Sequence, residues 1–80
     1  MDDLIFCKNM LALRRHLGLS QKDFAACLDT SIYNISKIEH GSVPAMLSSE
    51  ILIMIHLRFG ILPSEMFLEN FPCEKAHSKK

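Results

Sequence analysis

Ser31-Ile-Tyr-Asn-Ile-Ser-Lys37 brings hydroxyls, a phenol, a carboxamide and an ammonium together within two turns of chain, interleaved with isoleucine. If the segment is helical, Ile35 and Ile38 lie three apart and point inward. Ile32, Tyr33, Ser36 and Lys37 then remain on an outer face free of core duty. That face offers donors, acceptors and apolar area, but no nucleophile beside a base. Its chemistry is therefore recognition rather than bond making. Catalysis finds little support elsewhere. His16, His40, His56 and His77 are scattered, and neither HExxH nor a Cys/His metal-ligand spacing occurs. No glycine-rich phosphate loop is present either, so the chain is read as a non-enzyme with no metal, no cofactor and no evident small-molecule ligand.

The elements that must position this face all show helical periodicity, and strand alternation is absent. Phe6, Met10, Leu13 and Leu17 recur along one side of a first helix, about Leu4 to Leu17, which Asp2 or Asp3 can cap. Gly18 stops it. Ser20-Gln-Lys-Asp23 is a capping-box pattern opening a short second helix with Phe24, Ala25 and Leu28 inside. Asp29-Thr30-Ser31 breaks that helix and caps a third, which Gly41 ends. A fourth is expected from about Ser48 to Phe59, stopped by Gly60. Pro63 suits the first turn of a fifth, through about Asn70.

Composition bounds the reading. Eighty residues form one domain, drawn here as residues 1–71 with a flexible tail over 72–80. A hydrophobic share of 49% against 22% charged excludes a disordered chain, and no apolar run approaches a membrane span. The acidic Met-Asp-Asp start argues against export. Cys7, Cys27 and Cys73 are an odd number without a CxxC, which suits reduced thiols in the cytoplasm. Cys27 reads as a small buried hydrophobe rather than a redox sensor.

The order of these signals, from Gly18 through Ser20-Gln-Lys-Asp-Phe-Ala-Ala-Cys-Leu-Asp-Thr-Ser-Ile-Tyr-Asn-Ile-Ser-Lys-Ile to Glu39-His-Gly41, closely resembles the helix-turn-helix of the phage repressor/Cro (Xre-type) DNA-binding family. The resemblance covers roughly Phe6 to Phe67. It implies an all-α, five-helix, lambda-repressor-like fold in which the third helix enters the major groove of double-stranded DNA and the second lies across the backbone. On the family's pattern Arg14 and Glu39 match a structural ion pair. Ile32, Tyr33 and Lys37 match positions that reach base edges, where Lys37 can donate to guanine and Ile32 can meet a thymine methyl. Gln21 matches a phosphate-contacting glutamine. Lys22, Ser31, Asn34, Ser36 and His40 are further candidates for backbone contacts, and Lys8, Arg15 and His16 can add to them.

Departures from the pattern are as informative. Nine basic and nine acidic residues give a formal net charge of zero, where phosphate binding favours a basic domain. The loop Ser42-Val-Pro-Ala-Met-Leu47 is uncharged and reads as longer than usual. His56 stands where a small residue is common and is expected to be buried and hydrogen-bonded. Ile51-Leu-Ile-Met-Ile-His-Leu-Arg-Phe59 is apolar around nearly its whole circumference. With Leu52, Ile55 and Phe59 as the core stripe, Ile53, Met54 and Leu57 are left over. Together with Met46, Leu47, Met66 and Phe71 they predict a two-fold homodimer through the fourth and fifth helices; the alternative is a deeper core, with the fifth helix or tail covering the stripe. The function that follows is a dimeric transcriptional regulator, a repressor or activator of a palindromic operator. The alternative is a protein-interaction module that keeps the fold without DNA affinity.

Overall fold

The computed structural model describes the backbone of residues 3–43 and 45–76, and the side chains of 4–43 and 49–76. Within them the chain forms helices α1 (Asp3–Leu17), α2 (Gln21–Cys27), α3 (Ile32–Glu39) and α4 (Ala45–Phe59), then 3-10 turns at Pro63–Phe67 and Cys73–Lys75. No strand occurs among the described residues.

Each helix contributes one apolar stripe to a single core. Phe6, Met10 and Leu13 come from α1, Phe24 and Ala25 from α2, and Ile35 and Ile38 from α3, all at 2% exposure or less. Two ring pairs tie distant segments together. Phe6 stacks on Phe67 at 5.5 Å, and Phe24 on Phe59 at 6.1 Å.

The first three helices end in the same way. The residue after the cap turns to positive φ, and its amide and the next reach back to the last helical carbonyls. Gly18 does this for α1 (φ 68°), with Leu19 N–H donating to the Arg14 carbonyl at 3.2 Å. Gly41 does it for α3, with Ser42 N–H on the Lys37 carbonyl at 2.9 Å. At the end of α2 the position belongs to Asp29, φ 55°, with Thr30 N–H donating to the Ala25 carbonyl at 2.9 Å. These Schellman closures satisfy orphan carbonyls and reverse the chain within three residues. The closure at Asp29 is what makes the turn between α2 and α3 tight.

Several sequence-based expectations need correction. The segment expected as a fifth helix is the 3-10 turn Pro63–Phe67. The buried Asn9 side chain explains the difference: its Nδ2 donates to the Met66 carbonyl at 2.8 Å and to the Leu68 carbonyl at 3.0 Å. Those carbonyls are thus diverted from any continuing helix. The fourth helix starts at Ala45 rather than Ser48, so the loop expected to be long is short. Ala, Met and Leu are strong helix formers and extend it backward from Ser48. Its buried stripe is Ile51, Ile55 and Phe59, with Leu52 half-buried. His56 is exposed rather than buried, because the stripe at i, i+4 and i+8 leaves it on the flank of the helix, about 100° round from the buried centre. Only the Ser20 half of the capping box forms, its Oγ accepting from Asp23 N–H at 3.0 Å. Asp2 lies outside the described residues.

The chain beyond Phe71 also packs. Ala76 is 7% exposed within the core cluster, so the folded unit extends past the expected boundary at residue 71. Residues 77–80 lie outside the described ones. Lys75 Nζ donates to both Glu65 carboxylate oxygens, at 2.9 and 2.7 Å, and Leu62 N–H donates to Glu65 Oε1 at 2.9 Å. The bond from Lys75, then that from Leu62, holds the Glu65 carboxyl below its ordinary pKa of 4.5.

Two predictions follow from these contacts. Asp29→Gly removes the cost of a left-handed backbone and should raise stability by about 0.5 kcal/mol after the extra unfolded-state entropy of glycine. Asp29→Val should lower it by about 1–2 kcal/mol. Thermal unfolding followed by circular dichroism reads both, and a less stable Gly variant would refute the strain account. The lowered Glu65 pKa contributes stability above its unfolded value that is lost as pH falls through the folded one. Urea midpoints measured from pH 6 to pH 3 should therefore fall less steeply in Glu65→Gln than in wild type.

Candidate nucleic-acid interface

The candidate surface is built on α3, whose start is fixed by Ser31. The Ser31 Oγ accepts from Asn34 N–H at 3.1 Å, leaving its own proton free to donate outward. Asn34 Nδ2 donates to Thr30 Oγ1 at 2.9 Å, tying the turn to the first turn of the helix. At the other end His40 caps α3, and its Nδ1–H donates to the Ser36 carbonyl at 2.7 Å.

Between these ends the outward face is presented without core duty. Ile32 is 46% exposed and Tyr33 69%. Lys37 is half-buried, and its Nζ sits 5.2 Å from the centre of the Tyr33 ring. One turn apart on a helix, the two side chains brace each other through a cation–π contact, which reduces the freedom either must lose on binding. Ser36 is half-buried beside them.

A charged network underneath sets the orientation of α3. Arg14 in α1 donates from Nε to Glu39 Oε2 at 2.6 Å and from Nη2 to Oε1 at 3.3 Å. Its Nη1 donates to the Leu19 carbonyl at 3.0 Å, fixing the link between α1 and α2. Glu39 Oε1 also accepts from Gln21 Nε2 at 2.9 Å. The side chains of Arg14 and Glu39 are only 19% and 8% exposed. One carboxylate at the end of α3 thus collects donors from α1 and α2, locking three helices into one relative placement.

The structure sorts the candidate residues accordingly. Ile32, Tyr33 and Lys37 share the outer face of α3, and Lys22 is exposed in the first turn of α2. Gln21 is half-buried with one amide proton committed to Glu39; the second proton and the carbonyl oxygen stay available. Ser31, Asn34 and His40 have local helix-capping roles first. Met66, assigned to a subunit interface, is fully buried and cannot serve there, because the 3-10 turn directs it into the core. Phe71 is half-buried against the same core. Ile53 and Leu57 are 57% and 59% exposed, and Met54 is half-buried. The side chains of Met46 and Leu47 lie outside the described residues. Cys27 is a free, half-buried thiol packed against the core.

Two features carry no plain sequence signal. Asp29 is expected in the turn as one of a polar cluster, but nothing in that cluster marks it as the residue with a left-handed backbone. Asn9 anchors the chain after α4, and a lone asparagine in an amphipathic helix carries no signal of a partner more than fifty residues away.

Residues 8–70, most of the chain, match the family model of a helix-turn-helix domain, and the chain belongs to that family. It is a family of DNA-binding, non-enzymatic domains. No curated protein and no solved structure matches the chain. No described helix is long and apolar enough to cross a membrane.

Removing Glu39 leaves the Arg14 guanidinium poorly partnered, so Glu39→Ala should cost about 2–4 kcal/mol. The double variant Arg14→Met/Glu39→Leu should cost clearly less than the sum of its single changes. Urea denaturation of the four proteins closes the cycle, and strict additivity would show that the pair carries no coupling.

Proposed function

We propose that this helix-turn-helix domain is a sequence-specific transcriptional regulator that binds a palindromic operator as a homodimer, with α3 in the major groove. The observation that carries this reading is the outward face of α3. An exposed isoleucine, an exposed tyrosine and a lysine braced on the tyrosine ring stand on a helix whose orientation is locked from below. Lys37 would donate to guanine O6 or N7, Ile32 would meet a thymine methyl, and Tyr33 would use ring or hydroxyl.

Gln21, Lys22, Ser31, Asn34, Ser36 and His40 would contact phosphates, supported by the free Ser31 proton and the second Gln21 amide proton. With a formal net charge of zero, the phosphate contribution is small and affinity depends on pairing two subunits. The exposed α4 residues Ile53 and Leu57, with half-buried Met54 beside them, would supply that pairing, setting two α3 helices about 34 Å apart on one face of the duplex. Bound at a promoter, the dimer represses, or activates where the operator lies upstream. Three free thiols suit the reducing cytoplasm.

The neutral charge favours a second reading, a protein-interaction module that keeps the fold without DNA affinity. Selection of duplexes from a random pool separates the two. Wild type should enrich a two-fold symmetric site at low and near-physiological salt, and Tyr33→Ala/Lys37→Ala should fail to enrich it. No enrichment at either salt would favour the interaction module.

A further inference from the structure

The exposed side of α4 carries a pattern finer than an apolar patch. Glu50, Ile53, Met54, Leu57 and Arg58 fall at i, i+3, i+4, i+7 and i+8, which on a helix is one stripe. Its middle is apolar, with Ile53 and Leu57 more than half exposed. An acid ends it on one side and a base on the other. Glu50 and Arg58 are both exposed, and neither has an ion-pair partner among the described residues.

Beside the acidic end lies a cavity of about 300 Å³. Leu28, Ile51 and Met54 supply apolar wall, and Asp29 and Glu50 are the charged residues that line it. A site with apolar walls and two carboxylates, lined by no base among the described residues, complements a long side chain with an apolar stem and a cationic head. Arg58 is such a side chain, and it sits on the same stripe.

We propose that two copies of this chain pair through α4 in antiparallel register centred on Met54, each seating its Arg58 in the acid-lined cavity of the other, beside Glu50 and Asp29. This rests on the homodimer reading above and specifies its geometry. Glu50 and Arg58 both lie four residues from Met54, about 6 Å along the axis at 1.5 Å per residue. A two-fold axis through Met54 therefore brings each Glu50 opposite the partner's Arg58, twice by symmetry. A parallel pairing would instead set like charges against each other. The seat also reaches the DNA-reading unit, because Asp29 is the positive-φ residue of the turn between α2 and α3. Pairing thereby bears on the turn that places the recognition helix.

The test is the oligomeric state of the full chain without DNA, by analytical ultracentrifugation across the micromolar range, with circular dichroism to verify folding. Wild type should be a concentration-dependent dimer. Arg58→Glu and Glu50→Arg should each weaken it by about tenfold or more, since each change places like charges together at two symmetric contacts. The swap Glu50→Arg/Arg58→Glu should recover part of the loss, because Asp29 stays acidic beside the seat. Raised salt should weaken wild type and the swap alike. A folded wild-type monomer throughout would overturn the homodimer reading and this proposal with it. A wild-type dimer that all three charge variants leave within twofold would overturn the register alone and leave the dimer standing. Ile53→Asp controls for the location: a dimer unaffected by it would place the interface elsewhere and refute the proposal.

Discussion

The contact on which the rest of the arrangement depends is the carboxylate of Glu39. It receives two donors from Arg14 and one from Gln21, while the same guanidinium holds the Leu19 carbonyl. Helices as short as α2 and α3 would not be stable alone, because nucleation costs more than a turn or two of propagation returns. Their stability comes from packing, and packing by apolar stripes alone tolerates rotation and sliding. A bidentate ion pair with further hydrogen bonds does not. Mostly shielded from water, it imposes a direction on α3 that hydrophobic burial leaves undecided.

That division of labour explains the economy of the outer face. With Ile35 and Ile38 anchoring α3 and Glu39 orienting it, Ile32, Tyr33 and Lys37 are left on its outer side without core duty. The cation–π contact between Tyr33 and Lys37 orders two long side chains in advance. Gln21 participates in both tasks. One amide proton supports the network, and the other amide proton and the carbonyl oxygen are left for the proposed phosphate contact. Orientation of the recognition helix and one candidate phosphate contact therefore share a single side chain.

The chain after α4 shows how a small domain closes its core without another full helix. Asn9, buried in α1, takes the carbonyls of Met66 and Leu68, so a 3-10 turn rather than an α-helix covers Phe6 with Phe67. Glu65 and Lys75 then clip the following segment, and Ala76 completes the core. With this cover in place, α4 needs only Ile51, Ile55 and Phe59 inside. Leu52 and Met54 pack against that core from its edges, and Ile53 and Leu57 are left exposed on the far side of the helix.

Local chemistry was legible in the residues themselves. Glycine after an apolar helix, serine before one, and apolar residues at helical spacing act within a few positions, so α1 through α3, the serine caps of α2 and α3 and the inward residues could be read directly. The outer face of α3 followed by subtraction. What the sequence could not determine were choices made by distant partners. Whether Ile51 or Leu52 faces inward, and hence whether His56 meets solvent, depends on where α4 lies against the other helices. Whether residues 63–70 continue as an α-helix depends on an asparagine far back in α1. That Asp29 occupies the conformation Gly18 and Gly41 adopt elsewhere depends on the closeness of α2 and α3. Each is settled by a contact between segments remote in sequence, and no local periodicity encodes the distance across a core.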